Sequence, residues 1–354
     1  MEVIRKKLAD GVHLTYLPAR KFKTSLLSAQ FVTPLRQETA SANALLPAVL
    51  RRGTVTCPDM GSLAAKLDRL YGASIDYTVR KKGESQCVGF VASLIDDSFA
   101  PGGEKLLEPV AELLGELICD PATERGRFVP SYFESEKNNL LDAIRSLIND
   151  KRDYADRRLL QEFCADEPYG VSRLGSEQTA EKLQPKKLFN QYRELISTSQ
   201  LELFYSGSAD IRRVESALQS AFSDLPRKVI REVQPAVIHP RREDVKTVID
   251  EMDVTQGKLG MGFSCESKDR PALLMGNTLF GGSSNSKLFM NVREKLSLCY
   301  YASSLYHRQK GLITVSSGIE FENYQRAYDE IMAQLTAVQK GDLEDWEIQR
   351  LGEN

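Results

Sequence analysis

The spacing of apolar residues predicts a series of strands in the first half of the chain. Apolar and polar residues alternate over residues 12–18 and 25–33, and a period of two is typical of half-buried β-strands. Residues 73–80 and 85–94 show strand patterns on either side of Lys82-Gly83, which predicts two strands joined by a turn. These four segments indicate that a sheet contributes to the N-terminal part of the fold.

Helical patterns, with apolar residues three or four positions apart, lie between the strands. A helix is expected to start at Pro58 and to stop near Gly72. Two longer helices have apolar faces formed by Leu106, Leu107, Val110, Leu113, Leu114 and Leu117, and by Phe133, Leu140, Leu141, Ile144, Leu147 and Ile148. A strand ending at Gly207 and a helix to about residue 223 follow. Strands alternating with helices predict an α/β or α+β protein.

A change of composition marks the expected domain boundary. Residues 224–243 are charged, lack a clear period and contain Pro226, Pro235 and Pro240. Such stretches are typical of linkers between domains. We therefore predict an N-terminal domain at residues 1–227, a linker at 228–243 and a C-terminal domain at 244–354.

The two predicted domains share an internal repeat. Ala44-Leu45-Leu46 and Gly53 match Ala272-Leu273-Leu274 and Gly281 at an offset of 228 residues. Arg80, Lys82 and Gly83 match Arg308, Lys310 and Gly311 at the same offset. A shared offset favours a duplicated domain in which a helix precedes two strands. The second copy lacks an obvious final strand, so we expect it to be truncated.

Composition and charge exclude several classes of function. A net charge of −2 argues against nucleic acid or an anionic membrane as the main partner. No apolar run approaches the length of a membrane helix, and the N-terminus lacks a secretory signal. The six cysteines are widely spaced, which is typical of a reduced, cytoplasmic protein.

Common catalytic motifs are missing from the sequence. It contains no nucleophile elbow, phosphate-binding Walker loop or dinucleotide fingerprint. Its three histidines, His13, His239 and His307, are not at metal-ligand spacing, so each is interpreted as an ordinary surface or half-buried residue. Gly281-Gly282-Ser283-Ser284 could bind an anion through backbone N–H groups, or form a turn followed by a serine helix cap.

One C-terminal segment resembles a signature of the insulinase/pitrilysin zinc metallopeptidases. Phe280–Phe289 is similar to Leu-Gly-Gly-x-x-Ser-Ser-x-Leu-Phe, and Val292–Tyr300 is similar to the Arg-Glu-Lys-x-Gly-Leu-Ala-Tyr that follows. In active members this arginine and tyrosine contact substrate and help to polarise the scissile carbonyl. The resemblance implies substrate-binding roles for Arg293 and Tyr300, although Arg293 could instead form a salt bridge to a helix neighbour. Ser297 replaces the usual glycine, so the turn there could differ.

The N-terminal half resembles the same family, but without its catalytic residues. Residues 41–54 are similar to the zinc-binding helix, which carries His-x-x-Glu-His and ends in Gly-Thr. Here the two histidines are Ala44 and Ala48, and the general base is Pro47. Residues 133–144 are similar to the helix that supplies the third ligand, a glutamate, which is Ala143 here. A one-residue shift of register would instead place Asp142 at that position.

The resemblance implies an α+β fold with two pseudo-repeated α/β sandwich domains that form half of a clamshell. We expect a non-catalytic subunit, without metal or cofactor, that binds peptide or completes the chamber of an active partner. The partners that this resemblance implies are a second copy or a catalytic family member. Two alternatives stay open. One is an active zinc endopeptidase with displaced ligands. The other is a scaffold linked to peptide processing or translation-factor modification.

Overall fold

The computed structural model describes residues 3–233 and 244–351. Its strands, in chain order, are β1 Ile4–Ala9, β2 Val12–Pro18, β3 Thr24–Pro34, β4 Ser74–Lys82, β5 Ser85–Ile95, β6 Thr123–Glu124, β7 Arg127–Phe128, β8 Gln200–Gly207, β9 Gly257–Ser264, β10 Cys299–His307 and β11 Leu312–Ile319. Its α-helices are α1 Gln37–Leu50, α2 Met60–Arg69, α3 Leu107–Cys119, α4 Pro130–Ser146, α5 Lys151–Phe163, α6 Glu177–Glu181, α7 Pro185–Thr198, α8 Ile211–Ala221, α9 Arg270–Asn277, α10 Tyr324–Lys340 and α11 Asp345–Leu351. Two π-helices span Thr278–Gly282 and Leu288–Lys295.

The chain divides into two compact units. The first unit comprises Met1–Arg145 and Val171–Pro235, and the second comprises Ser146–Gly170 and Ala236–Asn354. Helix α5 therefore packs with the second unit, although it precedes the last part of the first in sequence. The predicted linker at 228–243 stays a prediction, because residues 234–243, with Pro235, His239 and Pro240, lie outside the described residues.

The first unit is built on a six-stranded sheet with the order β1-β2-β8-β3-β5-β4. Strand β2 pairs with β8 in parallel, and the other neighbours pair antiparallel. Helices α1, α3 and α7 each bury an apolar face in the core that the sheet provides. Because α1 is buried from Ala40 to Leu50, the helix that resembles the zinc-binding helix is a core element of this unit.

The second unit contains a three-stranded antiparallel sheet with the order β10-β11-β9. Its core joins that sheet to the π-helices and α10 through Met261, Phe280, Leu288, Val292, Leu298, Ala302, Tyr306, Ile313, Val315, Ile319, Ala327 and Ile331. Helix α5 packs on β9 at Gly260 and Gly262, where Leu159 and Phe163 approach the strand backbone. Glycine permits this approach because it carries no side chain.

The repeated plan predicted from the sequence is present in both units. In the first, β5 lies between β3 and β4, and in the second, β11 lies between β9 and β10. A helix, α1 or α9, precedes each hairpin, and the matched Gly83 and Gly311 lie at the two hairpin turns. The predicted α+β class with two pseudo-repeated domains is therefore confirmed.

Two further observations complete the fold. Helix α2 begins at Met60, two residues after the predicted start, because Asp59 caps it by accepting the backbone N–H of Ser62 at 2.8 Å. None of the helices in the described part of the chain combines the length and apolar character that a membrane crossing requires.

Candidate functional site

Three of the four degenerate motif positions lie on α1, and all three are buried. Ala44 and Ala48 are 4% and 7% exposed, and Pro47 is buried between them. The helix continues through the proline, since the backbone N–H of Arg51 donates to the Pro47 carbonyl at 3.1 Å. Proline has no N–H, so the bond that would normally reach the Asn43 carbonyl is missing. Alanine and proline side chains supply neither a metal ligand nor a general base.

The faces that carry the degenerate positions on α1 and α4 meet at an ion pair. Ala44, Ala48 and Arg52 are four residues apart and follow one side of α1 into its C-terminal turn. Glu136 and Ala143, seven apart, share one side of α4. Arg52 Nη1 lies 3.1 Å from Glu136 Oε1, and the Glu136 side chain is 10% exposed. Ala143 itself is exposed.

Further contacts fix this ion pair. The Arg52 guanidinium lies 5.2 Å from the centre of the Tyr132 ring, and Asn139 donates to the second oxygen of Glu136 at 3.0 Å. Both partners come from α4 at helical spacing. The ion pair and its hydrogen bond therefore connect the end of α1 to α4. By the resemblance, neighbouring positions on these two helices hold the metal ligands in active relatives.

The Gly-Thr sequence after α1 has a structural role here. A Cβ at Gly53 would lie 2.5 Å from the Pro58 carbonyl oxygen, so the backbone turn has no space for a side chain. The Thr54 hydroxyl donates to Glu116 Oε1 on α3 at 2.8 Å. Burial opposes ionisation of Glu116, but hydrogen bonds from Thr56 and Thr54 outweigh it and lower the pKa of that carboxyl.

A buried amide network is formed at Asn43, the residue before the first degenerate position. Gln86 on β5, which is 0% exposed, donates to the Ala40 carbonyl at 3.0 Å and to the Arg173 carbonyl at 2.7 Å. Asn43 donates to Gln86 Oε1 at 3.1 Å and accepts from Gln191 on α7 at 2.8 Å. This network joins α1, β5 and α7, and the sequence patterns did not reveal it because isolated Asn and Gln residues carry no periodic signal.

The Gly-Gly signature of the second unit is required by close packing. A Cβ at Gly281 would lie 2.6 Å from the backbone nitrogen of Ser304 and 2.7 Å from a methyl carbon of Leu288. Ser304 also donates to Asn277 Oδ1 at 2.8 Å. Within the motif, the Ser283 hydroxyl donates to the Thr278 carbonyl at 3.3 Å, and downstream Ser286 accepts the backbone N–H of Phe289 at 3.4 Å. Close packing therefore accounts for Gly281, and the serine cap expected within Gly281-Gly282-Ser283-Ser284 stays a prediction.

Arg293 lies on the second π-helix and combines partial exposure with local contacts. Its side chain is 40% exposed, and one terminal nitrogen lies 3.6 Å from a carboxylate oxygen of Glu294. Its guanidinium carbon is 4.6 Å from the centre of the Phe289 ring. The helix-neighbour salt bridge considered from the sequence is thus present, while much of the side chain still faces solvent.

Ser297 keeps the backbone conformation that its position requires. Its φ of +49° lies in the left-handed region, which glycine adopts more easily. The N–H of Ser297 donates to the Arg293 carbonyl at 3.1 Å, and that of Leu298 donates to the Val292 carbonyl at 3.0 Å. These bonds end the π-helix in the manner of a left-handed C-cap. Serine in place of glycine therefore leaves the left-handed turn intact.

Tyr300 is the more exposed of the two predicted substrate-binding residues, Arg293 and Tyr300. It lies on β10, is 60% exposed, and donates its hydroxyl to Glu320 Oε1 at 2.7 Å. That hydrogen bond, together with the negative charge of Glu320, raises the pKa of Tyr300. The tyrosine is therefore a neutral donor at neutral pH, held in the second unit by a carboxylate.

The histidines and acidic residues form no metal site in the part of the chain that the structure describes: no group of three His, Cys, Asp or Glu side chains there could hold a metal ion. His13 lies on β2 with Nδ1 3.5 Å from the Gln200 amide nitrogen. His307 lies on β10, between the Tyr169 hydroxyl at 3.0 Å and the Thr314 hydroxyl at 2.9 Å. His239 lies outside the described residues.

Comparison with known proteins identifies the family. Residues 182–353 match the family description "Peptidase M16 inactive domain". The probable inactive metalloprotease YmfF of Bacillus subtilis is 36% identical over 351 residues, which are 97% of this chain and 81% of that protein. The chain belongs to the M16 peptidase family. The recognition of a non-catalytic insulinase/pitrilysin-type protein from its motifs is thereby confirmed.

Solved structures agree with this M16 assignment. A conserved protein from Enterococcus faecalis superposes with a TM-score of 0.91 at 26% identity, covering 99% of this chain and 83% of that chain. The ferredoxin protease FusC, solved as a mutant in complex with Arabidopsis ferredoxin, has a TM-score of 0.65 at 14% identity, covering 96% of this chain and 36% of that chain. The second likeness shows the fold alone.

Proposed function

We propose that this M16 chain is a non-catalytic subunit that binds peptide and completes the chamber of a catalytic family member. The observation that carries the proposal is a contrast between the two units. The catalytic positions of the first unit are alanine and proline, whereas the second unit presents Arg293 and Tyr300 at 40% and 60% exposure. A chain with these features supports substrate handling without its own hydrolysis.

The comparisons support the proposal in different ways. The relative from Bacillus subtilis is named a probable inactive metalloprotease, which agrees with loss of catalysis. FusC, of similar fold, was solved with a protein bound, which makes a polypeptide a reasonable ligand class for this chain. The family resemblance adds the expectation that a peptide binds as an extra strand at a sheet edge.

Zinc content tests the alternative of an active peptidase with displaced ligands. We expect elemental analysis, after a chelator wash and re-addition of zinc, to find almost no metal per chain, because Ala44, Ala48 and Ala143 supply no ligand atoms. A parallel sample of a catalytic M16 protein, treated in the same way, controls for zinc lost in the wash. One tightly held zinc per chain would contradict the proposal.

The double substitution Arg293→Ala/Tyr300→Ala tests the role of the second unit. In a complex with the catalytic M16 protein of the same organism, we expect peptidase activity to fall about 100-fold, the size of effect seen when a donor to a developing oxyanion is removed. Activity is measured on a fluorogenic peptide, and assembly by light scattering after size-exclusion chromatography.

The matched control for this test is Tyr324→Ala/Arg326→Ala, which removes the same residue types from exposed positions of α10. We expect the control complex to retain its activity. Unchanged activity in the Arg293/Tyr300 variant would favour the scaffold alternative. The mass of the wild-type protein in the same chromatography shows whether it forms a homodimer without the partner.

A further inference from the structure

A groove in the first unit lies between the C-terminal half of α7 and residues 226–231, which follow α8. Its volume is about 410 Å³. The residues that line it are Asn190, Arg193, Glu194, Ser197, Pro226 and Lys228. The four from α7 are three or four positions apart in succession, so they share one face of the helix. The groove therefore has one helical wall and one wall of irregular backbone.

Hydrogen bonds hold the irregular wall against the end of α7. The backbone N–H of Lys228 donates to the Ser197 carbonyl at 2.9 Å. The Arg227 guanidinium donates to the Ile196 and Ser199 carbonyls, both at 2.8 Å. The last carbonyls of a helix have no partner within the helix, and a cationic side chain often binds them. Because Arg227 fills that role here, the Lys228 ammonium is not needed for it.

The groove carries an excess of positive charge. Glu194, the carboxylate in its lining, forms an ion pair with Arg231. Arg193 and Lys228 are exposed, and neither forms an ion pair with any other residue that the structure describes. Two cations therefore face the groove without a carboxylate to offset them, although the net charge of the whole chain is −2. Such a local excess attracts anions.

We propose that this groove binds the phosphate group of a small phosphorylated molecule. The Arg193 guanidinium donates to two phosphate oxygens, and the Lys228 ammonium donates to a third. The side-chain amide of Asn190 is a further donor on the helical wall. A phosphate monoester carries close to two negative charges at neutral pH, which matches the two unpaired cations. Arginine supplies bidentate geometry and lysine supplies a compact charge.

The size of the groove indicates that the phosphate is attached to an organic group. Pockets for small organic ligands have volumes of about 300–1,000 Å³, and this groove lies within that range. The Pro226 ring and the methylene groups of Arg193 and Lys228 offer apolar surface beside the charges. A phosphorylated organic molecule therefore uses more of the groove than free inorganic phosphate does.

Isothermal titration calorimetry with three probes tests the inference. The probes are adenosine monophosphate, inorganic phosphate and adenosine, which lacks the phosphate. We expect the wild-type protein to bind the monophosphate most tightly, inorganic phosphate more weakly, and adenosine not at all. In Arg193→Gln/Lys228→Gln, we expect the affinity for the monophosphate to fall about tenfold or more, because charged hydrogen bonds to the phosphate are lost.

A matched control removes the same two charges from elsewhere in the first unit. Lys21 and Arg212 are exposed and lie outside the groove lining, and we expect Lys21→Gln/Arg212→Gln to leave the affinity for the monophosphate unchanged. Circular dichroism shows whether each variant is folded. Arg193→Lys/Lys228→Arg keeps both charges and is expected to retain most of the affinity, so the test does not depend on the glutamine variant alone.

Several outcomes would overturn the inference without affecting the proposed function, which is tested separately in the second unit. If neither phosphate probe binds the wild-type protein at about 10 mM, the groove is not a phosphate site. Equal affinities of the wild-type protein and the Arg193→Gln/Lys228→Gln variant would place the ligand elsewhere. An equal loss in the Lys21→Gln/Arg212→Gln control would show attraction by overall charge alone. Inorganic phosphate binding as tightly as the monophosphate would contradict the role of the organic group.

Discussion

Gly281→Ala is expected to destabilise the second unit by about 3 kcal/mol, the upper end of the usual cost of adding a carbon to a filled core. The added Cβ would lie 2.6 Å from the Ser304 backbone nitrogen, and a backbone atom in a strand cannot move aside as a flexible side chain can. To relieve the clash, the first π-helix would have to separate from β10. The Ser304–Asn277 hydrogen bond would weaken with it.

The second unit contains its own probe and its own control for this prediction. Trp346, the one tryptophan of the sequence, lies on α11, so its fluorescence during urea unfolding reports on this unit. Gly276 lies on α9, and a Cβ there meets nothing within 4 Å. Gly276→Ala is expected to stabilise by about 0.5 kcal/mol, because alanine restricts the unfolded chain. Similar unfolding midpoints for Gly281→Ala and Gly276→Ala would show that the packing around Gly281 does not exclude a Cβ.

Gln86→Leu is expected to destabilise the first unit by about 3 kcal/mol, since each buried polar group left without a partner costs roughly 1–3 kcal/mol. Leucine is similar in size to glutamine, so the loss of unfolding free energy comes from the missing hydrogen bonds. The Asn43 amide would lose its acceptor, and the Arg173 carbonyl would lose a donor at 2.7 Å. Far-UV circular dichroism during urea unfolding measures the change.

Gln30→Leu provides the same substitution in the same sheet at a half-buried position. Gln30 donates to the Phe90 carbonyl at 2.9 Å and accepts from Thr78 at 2.8 Å, where water can replace the lost bonds. We expect this control to cost about 1 kcal/mol or less. Asn43→Ala alone and with Gln86→Leu completes a double-mutant cycle. Strictly additive costs would show that the two amides do not act as one network.

The strands and helices of the first unit were predictable because each repeats a local pattern. The alternation in residues 85–94 corresponds to β5, and the apolar face from Leu106 to Leu117 corresponds to α3. Both have one buried face, so burial imposes a period of two or 3.6 on the sequence. The predicted start of α2 at Pro58 is wrong by two residues, because Asp59 caps the helix and Met60 is its first residue.

The degenerate site was recognisable from the sequence through what the motif lacks. Ala44, Pro47 and Ala48 occupy a helix that otherwise resembles a zinc-binding helix, and a ligand set cannot be formed from their side chains. The Arg52–Glu136 pair beside them was not predictable. These residues are 84 positions apart, and nothing in either local pattern marks them as partners.

The sequence by itself determined the family, the loss of catalytic residues and the repeated helix–hairpin plan, because these depend on residue identity and local periodicity. The tertiary structure alone decided that residues 146–170 pack with the second unit, that an amide network forms at Asn43, and that Arg227 binds carbonyls at the end of α7. Each depends on which distant segments meet. Such long-range contacts follow from how whole elements pack, and they leave no period or spacing in the sequence.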